Sequence, residues 1–349
     1  MSGPEPSCPA PFSDGDKVTL AHGSGGIPSA ELVSKLFVPA LGNDYLRLLH
    51  DGAVFELDGA KLAFTTDSFV VKPIFFPGGD IGSLSVHGTV NDLAMCGARP
   101  VMLSLSFIIE EGFSMAELST IVESVSRACK DAGAMVVTGD TKVVEKGGAD
   151  GIYINTAGVG VVEYNGISPG AVRAGDGIIL SGAIGLHGMA VMVTREGLNL
   201  ETGIESDSAP LWGPVEKVLK SGADVHCLRD ATRGGLSSVL NEIAGAAGAG
   251  IEIWEDSIPV PEPVRGACEI LGLDPLYIAN EGRFLAFIDP GDDGVEKALD
   301  ALRSHPLGRE AVEIGRVTED HKGTVVLKTS IGGRRVVPMA SGELLPRIC

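Results

Sequence analysis

One stretch decides the fold: residues 62–94, LAFTTDSFVVKPIFFPGGDIGSLSVHGTVNDLA. Its first five residues predict a strand that delivers Asp67 at its C-terminal end. A Gly-Gly turn follows, and Asp80 then stands where the N-cap of a helix is expected. Because the apolar positions beyond it partly follow helical spacing, the stretch predicts a strand and then a helix that carries Asn91 and Asp92.

The alternation of strands and helices continues along the chain. Apolar runs predict strands near 101–109, 135–138 and 152–162, with a helix at about 114–132. Turn residues at 166–170 predict a linker, after which a second α/β unit begins. The 349 residues suffice for two domains. We therefore predict an α/β (α+β) protein with an N-terminal extension and Gly-rich loop over 1–42, an N-terminal α/β domain over 43–165, a C-terminal α/β domain over 172–338 and a tail over 339–349.

Composition excludes several classes of function. The formal net charge of −19 argues against binding to nucleic acid and to an anionic membrane surface. No stretch reaches the roughly 20 apolar residues that span a bilayer, and the Pro-rich start lacks a basic segment, so a cytoplasmic location is expected. The six cysteines show neither CxxC spacing nor histidines at zinc-like intervals, which argues against a disulfide framework and a structural zinc. An acidic protein that binds a nucleotide would need Mg²⁺ and a few basic residues.

Acidic residues recur where an α/β protein binds ligands. Asp67, Asp140 and Asp230 follow predicted strands, and Asp92 lies beside Asn91 on a predicted helix. Because strand ends in open α/β proteins meet at the ligand-binding edge and Mg²⁺ prefers oxygen ligands, the four aspartates are candidate Mg²⁺ ligands. Each of them alone is also explained as a cap or turn residue.

Three further features are candidates for nucleotide chemistry. Lys142 and Arg233 follow two of these aspartates, where they could clamp phosphates or form surface salt bridges. Glu281 precedes the apolar run 284–288 and is either a general base or a turn residue. A Gly-rich loop near the N-terminus could close its N–H groups around phosphates, although it could equally be a flexible loop. That loop comprises Gly23, Ser24, Gly25 and Gly26.

Cys349 is the last residue of the sequence, on a segment without helical or strand periodicity. A thiol on a mobile end could travel between partner proteins and an interior site. Its thiolate would be the nucleophile, and the adjacent carboxylate disfavours ionisation, so a cation such as Arg347 would help. In an arbitrary protein, a terminal cysteine is usually incidental.

Five motifs identify a family when they are taken together: HGSGG (22–26), SVHGTVNDLA (85–94), GDTKV (139–143), RDATRGG (229–235) and PRIC (346–349). They resemble the HypE family of hydrogenase maturation factors, carbamoyl dehydratases of the aminoimidazole ribonucleotide synthetase and selenophosphate synthetase superfamily. The resemblance covers the chain from about Val18, and the final motif is its most specific element.

This resemblance implies a two-domain aminoimidazole ribonucleotide synthetase-like fold with a flexible C-terminal tail. It implies a homodimer in which the N-terminal sheets of two subunits pair, with ATP near the interface. The four aspartates would hold Mg²⁺, Asn91 would belong to the nucleotide site, Lys142 and Arg233 would contact phosphates, and the Gly-rich loop would cover the nucleotide.

The resemblance also implies a reaction. A carbamoyltransferase maturation protein (HypF) would load the sulfur of Cys349, and the tail would then fold inward. ATP would phosphorylate the carbamoyl oxygen, and loss of the N–H protons would leave a thiocyanate, with Glu281 as base and Lys142 stabilising charge. Cyanide would pass to the iron of a [NiFe]-hydrogenase, held by a scaffold complex of two maturation proteins (HypC-HypD).

Two alternatives stay open at this point. A selenophosphate synthetase or small-molecule kinase of the same superfamily would share the acidic and glycine motifs but has no use for a terminal thiol. Such an enzyme would need a reactive cysteine near the N-terminus, where Cys8 lies in a Pro-rich extension. A non-catalytic maturation scaffold, whose tail merely docks a partner, would hydrolyse no ATP.

Overall fold

The structure is a computed structural model, and it describes residues 17–197, 203–342, Leu345 and 347–349. Cys8 and Pro346 lie outside the described residues. An N-terminal segment of short helices precedes two α/β units, each built around its own sheet. This segment contains α1 (Ile27–Leu32), a π-helical stretch (Val33–Phe37) and α2 (Val38–Leu41).

The first unit contains a five-stranded sheet and two long helices. Its elements are β1 (Ala53–Leu57), β2 (Ala60–Phe69), β3 (Phe75–Phe76), β4 (Gly79–Asp80), α3 (Ile81–Met95), β5 (Ala98–Glu110), α4 (Met115–Ala132), β6 (Met135–Val144) and β7 (Ile152–Val162). The order in the sheet is β1-β2-β7-β5-β6, and only the β5–β6 pair is parallel. Strands β3 and β4 form a separate small ribbon. Helices α3 and α4 pack together on one face of the main sheet.

Local sequence patterns predicted most of these elements. The strand at 152–162 is confirmed, and so is the N-cap, since the Asp80 carboxylate accepts hydrogen bonds from the amides of Gly82 (2.7 Å) and Ser83 (3.1 Å). Strand β2 is longer than predicted, so Asp67 lies inside it and not after its end.

Strand β6 also continues beyond its predicted end at Thr138 and contains Asp140 and Lys142. Its parallel pairing with β5 runs on to Val144. Gly139 permits this, because a Cβ at that position would lie 2.1 Å from the carbonyl oxygen of Leu105. This glycine is therefore required for close approach of two strands.

The second face of the first sheet is uncovered in the described part of the chain. Phe64, Val159, Met102 and Met135 are aligned partners across β2, β7, β5 and β6. Three of these side chains are strongly exposed: Phe64 by 44%, Met102 by 45% and Met135 by 60%. A continuous row of exposed large apolar side chains is typical of an interaction surface.

The second unit contains a seven-stranded sheet. Its elements are β8 (Gly177–Leu180), α5 (Leu186–Arg195), α6 (Trp212–Leu219), β9 (Val225–Asp230), α7 (Gly235–Ala247), β10 (Gly250–Trp254), α8 (Glu262–Leu271), β11 (Phe284–Ile288), α9 (Gly294–Arg303), β12 (Val312–Thr318), β13 (Val325–Lys328) and β14 (Arg334–Val336). The order is β14-β13-β10-β12-β8-β11-β9, with β10 and β13 parallel and the other pairs antiparallel.

Helices cover both faces of this second sheet. Helix α7 packs Leu236 and Leu240 against one face, while α6 and α9 pack Val215 and Leu302 against the other. The central strands β8 and β11 are consequently buried along their whole length. Within residues 17–197 and 203–342, no helix is both long and apolar enough to cross a membrane.

Helix α3 joins the two units. It packs on the first sheet through β2, β5 and β7, and it contacts β9 and α6 of the second unit. Thirteen of its residues are buried as a result. This helix brings Asp92 of the first unit next to β9.

Candidate functional site

A cavity of about 240 Å³ lies where the two units meet, and charged side chains line most of it. Its ionisable lining groups include the carboxylates Asp51, Asp67, Asp92, Asp230 and Glu281, the guanidinium of Arg233 and the thiol of Cys349. The structure therefore brings together three of the four predicted metal ligands with the predicted base, the terminal thiol and one predicted phosphate clamp.

Three of these carboxylates form a compact group. One oxygen each from Asp51, Asp92 and Asp230 lies within 4.8 Å of the other two. Asp92 Oδ2 accepts a hydrogen bond from Thr65 Oγ1 (2.7 Å), and Asp51 Oδ1 lies 2.9 Å from Arg229 Nε. The second oxygens of Asp51 and Asp230 are buried without a hydrogen-bond partner. Three carboxylates at this spacing, two of them with an unpartnered buried oxygen, fit a hard divalent cation such as Mg²⁺.

The electrostatics of this group point the same way. Burial raises the pKa values of Asp51 and Asp92 well above their usual range, and neighbouring carboxylates raise them further. Burial also raises the pKa of Asp230 to about 6, although Arg229 opposes this. Without a cation, the group holds protons that exposed aspartates would lose, whereas a divalent cation would favour the ionised form.

Asp51 was missed at the sequence level. It lies in His50-Asp51-Gly52, immediately before β1, so it is one more aspartate beside a strand. Its importance arises from contacts with Arg229 and the carboxylate of Asp230, which lie about 180 positions later in the sequence. The only local signal was an acidic residue followed by glycine next to an apolar strand.

Cys349 lies at the rim of this acidic group. Burial raises the pKa of its thiol, and the carboxylates of Glu281 and Asp67 add to the effect, while Arg233 opposes it. The expectation that Arg347 is the cation beside the thiol is wrong. Its Nε donates to the carbonyl of Val70 (2.9 Å) and its Nη1 contacts the Asp150 carboxylate, so it points away from the sulfur.

The end of the chain is docked through its main chain. The amide of Val70 donates to the main-chain oxygen of Cys349 and the amide of Lys72 donates to the carbonyl of Arg347, both at 3.1 Å, in an antiparallel arrangement beyond the end of β2. His187 Nε2 donates to the carbonyl of Ile348 at 2.8 Å. Together with burial of the Ile348 side chain, these bonds hold the sulfur in the cavity.

The Gly-rich loop packs beside the cavity. Arg233 Nη1 donates to the carbonyl of Gly23 (3.4 Å), and Ser238 Oγ donates to that of Gly25 (2.7 Å). Gly25 has a φ of +78°, and a Cβ there would lie 2.7 Å from the carbonyl oxygen of Arg233. Gly26 approaches the tail, since a Cβ there would lie 2.4 Å from the carbonyl oxygen of Ala340. The loop thus links Arg233 to the tail, and Ser24 donates locally to Ala21.

Asp140 and Lys142 are not brought to the cavity within one chain. Lys142 Nζ lies 2.5 Å from Asp140 Oδ2, an exposed salt bridge on β6. Asp140 aligns across the sheet with Ser106, Asn155 and Ser68, so it lies three strand spacings from β2, or about 14 Å. By this register, both residues share the uncovered sheet face with the apolar row.

The side chain of Asn91 is hydrogen-bonded to the backbone of the second unit. Its side-chain amide donates to the carbonyls of Ala209 (3.1 Å) and Glu281 (3.2 Å), and its Oδ1 accepts from the amide of Leu211 (2.8 Å). Because both amide hydrogens are donated to the backbone, the expectation that Asn91 contacts the nucleotide lacks support from the geometry. Asn91 instead anchors the backbone that carries Glu281.

Comparison with known proteins now assigns the family. Residues 49–162 match the N-terminal domain of AIR synthase related proteins, and residues 173–328 match their C-terminal domain. The carbamoyl dehydratase HypE of Azotobacter vinelandii is 52% identical over 333 residues, which cover 95% of this chain and 97% of that protein.

Solved structures give the same result. The hydrogenase maturation protein HypE in complex with ATP is 47% identical, with a TM-score of 0.80 and coverage of 95% of this chain and 100% of that one. HypE in a HypE–HypF complex is also 47% identical, with a TM-score of 0.83 and coverage of 88% and 99%. The chain therefore belongs to the HypE family of carbamoyl dehydratases, within the AIR synthase related proteins.

Proposed function

We propose that this chain uses ATP to dehydrate a carbamoyl group on Cys349 to a thiocyanate, which supplies the cyanide ligand for the iron of a [NiFe]-hydrogenase. Membership of the carbamoyl dehydratase family supports the reaction. The observation that carries it is the position of the Cys349 sulfur in a cavity with an acidic group, Arg233 and Glu281. A carbamoyl group on that sulfur would extend toward the groups that activate phosphate and remove protons.

ATP and Mg²⁺ are the cofactors that fit this cavity. A 47% identical relative has been solved in complex with ATP. Asp51, Asp92 and Asp230 are the residues that would hold Mg²⁺, with Asp67 beside them, so Asp51 takes the position first assigned to Asp140. Bound there, Mg²⁺ would neutralise charge on the phosphates during transfer.

Arg233 and the Gly-rich loop are the groups that would orient the phosphates. Arg233 reaches the cavity from the start of α7 and contacts the loop at Gly23. A guanidinium presents several N–H donors in a planar fork, which suits phosphate oxygens. Loop and arginine together would exclude water, which otherwise would hydrolyse the carbamoyl group.

The chemistry balances without a further reactant. The carbamoyl oxygen attacks the γ-phosphorus, the bond to ADP breaks, and one N–H proton is lost. Removal of the second N–H proton then forms the C≡N bond as the C–O bond breaks and inorganic phosphate leaves. The oxygen of the carbamoyl group departs in the phosphate, so the net change on sulfur is loss of one water.

Glu281 is the base for these proton transfers. Its Oε1 is buried without a hydrogen-bond partner, and burial followed by the nearby carboxylates of Asp230 and Asp67 raises its pKa well above the usual range. A raised pKa makes its carboxylate a stronger base than an exposed glutamate. A bound cation and Arg233 would favour the ionised form that this role requires.

A homodimer would give Asp140 and Lys142 a role. The apolar row of Phe64, Met102 and Met135 supports pairing of two first sheets, because it leaves a large apolar surface exposed on one chain. Asp140 and Lys142 belong to the same face and would approach the second subunit. We assign their nucleotide contacts, and charge stabilisation by Lys142, to that arrangement.

The partners follow from the reaction. A relative of this chain has been solved in a complex with HypF, and a carbamoyltransferase of that kind would load Cys349. Transfer of cyanide to iron would take place on the HypC-HypD scaffold, in the cytoplasm. Each of these steps requires the end of the chain to leave the cavity and return.

Intact-mass spectrometry tests the proposal. After incubation with carbamoyl phosphate, the transferase and ATP, the chain should carry a carbamoyl adduct that loses one water as ATP is hydrolysed. Cys349→Ala should show neither species, and Glu281→Gln should show the adduct without its dehydration. Carbamoyl-independent ATP hydrolysis that Cys349→Ala retains in full would favour a kinase or selenophosphate synthetase, and absence of any hydrolysis would favour a scaffold.

A further inference from the structure

A second cluster of possible metal ligands lies in the second unit, at one end of its sheet. Asp176 immediately precedes β8, His226 is the second residue of β9, and Asp289 immediately follows β11. These three strands are neighbours, and the start of β8, the end of β11 and the start of β9 lie side by side. One donor atom each from Asp176, His226 and Asp289 lies within 4.8 Å of the other two.

His226 is the informative member of this cluster, because its side chain is only 5% exposed. Its Nδ1 lies 2.8 Å from Asp176 Oδ2, and an ionised carboxylate only accepts hydrogen bonds, so Nδ1 carries a proton. Its Nε2 is buried without a hydrogen-bond partner and lies 3.5 Å from Asp224 Oδ2. A lone pair at Nε2 would face the Asp224 carboxylate, whereas a proton at Nε2 makes no hydrogen bond. A bound cation resolves both problems.

The arrangement matches the way proteins prepare histidine for a metal. A metal-binding imidazole commonly donates its second N–H to a carboxylate, which fixes the tautomer and the ring orientation. Asp176 occupies that position, held in turn by the amide of Arg173 at 2.8 Å. Asp224, with a side chain 75% exposed, stands on the opposite side of the ring from this anchor. A carboxylate oxygen of Asp289 lies within 4.8 Å of donor atoms of both His226 and Asp176.

We propose that His226 Nε2, together with the carboxylates of Asp224 and Asp289, binds a divalent transition-metal ion such as Zn²⁺. Imidazole nitrogen favours such ions over Mg²⁺, and the exposure of Asp224 allows water to complete the coordination. None of these residues lines the cavity that contains Cys349. The site is thus separate from the proposed reaction, and by joining the start of β9 to the end of β11 it would stabilise the second sheet.

Calorimetric titration with Zn²⁺ tests the site on the full chain. The titration uses the Cys349→Ala variant as background, which removes the terminal thiol as a Zn²⁺ ligand. Excess Mg²⁺ occupies the group of Asp51, Asp92 and Asp230. The one equivalent of Zn²⁺ whose binding depends on His226 can then be resolved. We expect this equivalent to bind at least about tenfold more weakly in His226→Gln, and Asp224→Asn or Asp289→Asn to weaken it as well. Asp300→Asn, a change on α9 outside the cluster, is the matched control and should leave the titration unchanged.

Thermal unfolding provides the second readout. Zn²⁺ should raise the Tm of the background protein and of Asp300→Asn, and not that of His226→Gln. The proposal would be overturned if His226→Gln still bound this equivalent of Zn²⁺ or if the background protein did not bind it. An equal loss of Zn²⁺ binding in Asp300→Asn would also overturn it. If His226→Gln does not fold, Asp224→Asn and Asp289→Asn decide, and unchanged binding in both would show that His226 merely forms an ion pair.

Discussion

Two clusters of acidic side chains in this molecule differ in what surrounds them. The first, Asp51, Asp92 and Asp230, draws on both units, offers only oxygen donors and has the terminal thiol at its rim. The second lies at the end of one sheet, contains an imidazole and has no thiol. Aspartate therefore acquires its function from its neighbours: beside other buried carboxylates it suits a hard cation, and beside histidine it suits a softer one.

The clusters also differ in how they depend on the fold. Asp51 and Asp92 belong to the first unit and Asp230 to the second, so the first cluster exists only when α3 packs against β9. The second cluster needs only the pairing of neighbouring strands. Three experiments follow from this contrast.

The largest expected effect concerns the reaction itself. Asp92→Asn should slow dehydration of the carbamoylated chain by about 10²- to 10³-fold, because it removes a charge that would hold the phosphates' cation. Asp289→Asn, the same chemical change in the second cluster, should stay within about twofold, since it is remote from the reacting groups. The measurement is the initial rate of dehydration, followed by intact-mass spectrometry. Equal reductions of this rate in both variants would contradict the proposed difference between the clusters.

A smaller effect concerns stability against pH. The pKa of Asp230 is about 6 in the folded chain, against an ordinary value of 3.8. The folded state therefore binds the proton more tightly, and its stabilisation is present below about pH 4 and is lost as the pH rises to about 6. At about 1.4 kcal/mol per pKa unit, the loss in free energy of unfolding is on the order of 3 kcal/mol.

Urea unfolding at several pH values, in a chelator, measures this loss. Asp230→Asn should reduce the decline between pH 4 and 6 by the share that Asp230 contributes, while Asp51 and Asp92, whose pKa values are also raised, retain theirs. Mg²⁺ should reduce the decline in the unmodified chain by binding the ionised form. If the variant and the unmodified chain show parallel pH profiles, the pKa of Asp230 is not the source of the loss in free energy of unfolding.

The smallest effect concerns access of the thiol to the first cluster. Hydrogen bonds from Arg347 and then Lys72 hold the pKa of Asp150 below its usual range, so Asp150 is ionised and anchors the tail. Asp150→Asn should weaken docking by about 1 kcal/mol and speed modification of Cys349 by a thiol reagent about fivefold. Peptide mapping measures the rate at this cysteine.

Glu163→Gln is the control for this anchor. It breaks a comparable ion pair, in which Glu163 Oε1 lies 2.7 Å from Arg99 Nε, at a position that does not contact the tail. If both variants expose Cys349 equally, the ion pair of Asp150 does not anchor the end of the chain.

Local patterns in the sequence were sufficient for much of this structure. The strand at 284–288 and the strand that ends at Asp230 are confirmed, because continuous apolar runs bounded by turns specify buried strands. The helix that begins after Asp80 is confirmed because its cap acts within one turn. Asp92 lies in the last turn of α3, Asp230 ends β9 and Glu281 shortly precedes β11. These three residues converge because the ends of their elements meet at the junction of the units.

Non-local contacts explain what the sequence did not predict. Asp51 matters through Arg229, which no short motif connects to it. Strand β6 passes through Gly139 because its neighbour β5 requires close approach, although glycine usually suggests a turn. The cation beside Cys349 is Arg233 and not the adjacent Arg347, because docking of the tail directs Arg347 to Asp150.

The way the tail is bound has a consequence for its use as a carrier. The amides of Val70 and Lys72 and the imidazole of His187 donate hydrogen bonds to three main-chain oxygens of the tail. None of these hydrogen bonds involves the sulfur of Cys349. They are therefore the same whether that sulfur bears a hydrogen, a carbamoyl group or a nitrile. Placement is independent of cargo, and any preference among empty, loaded and finished forms must come from the cavity that receives them.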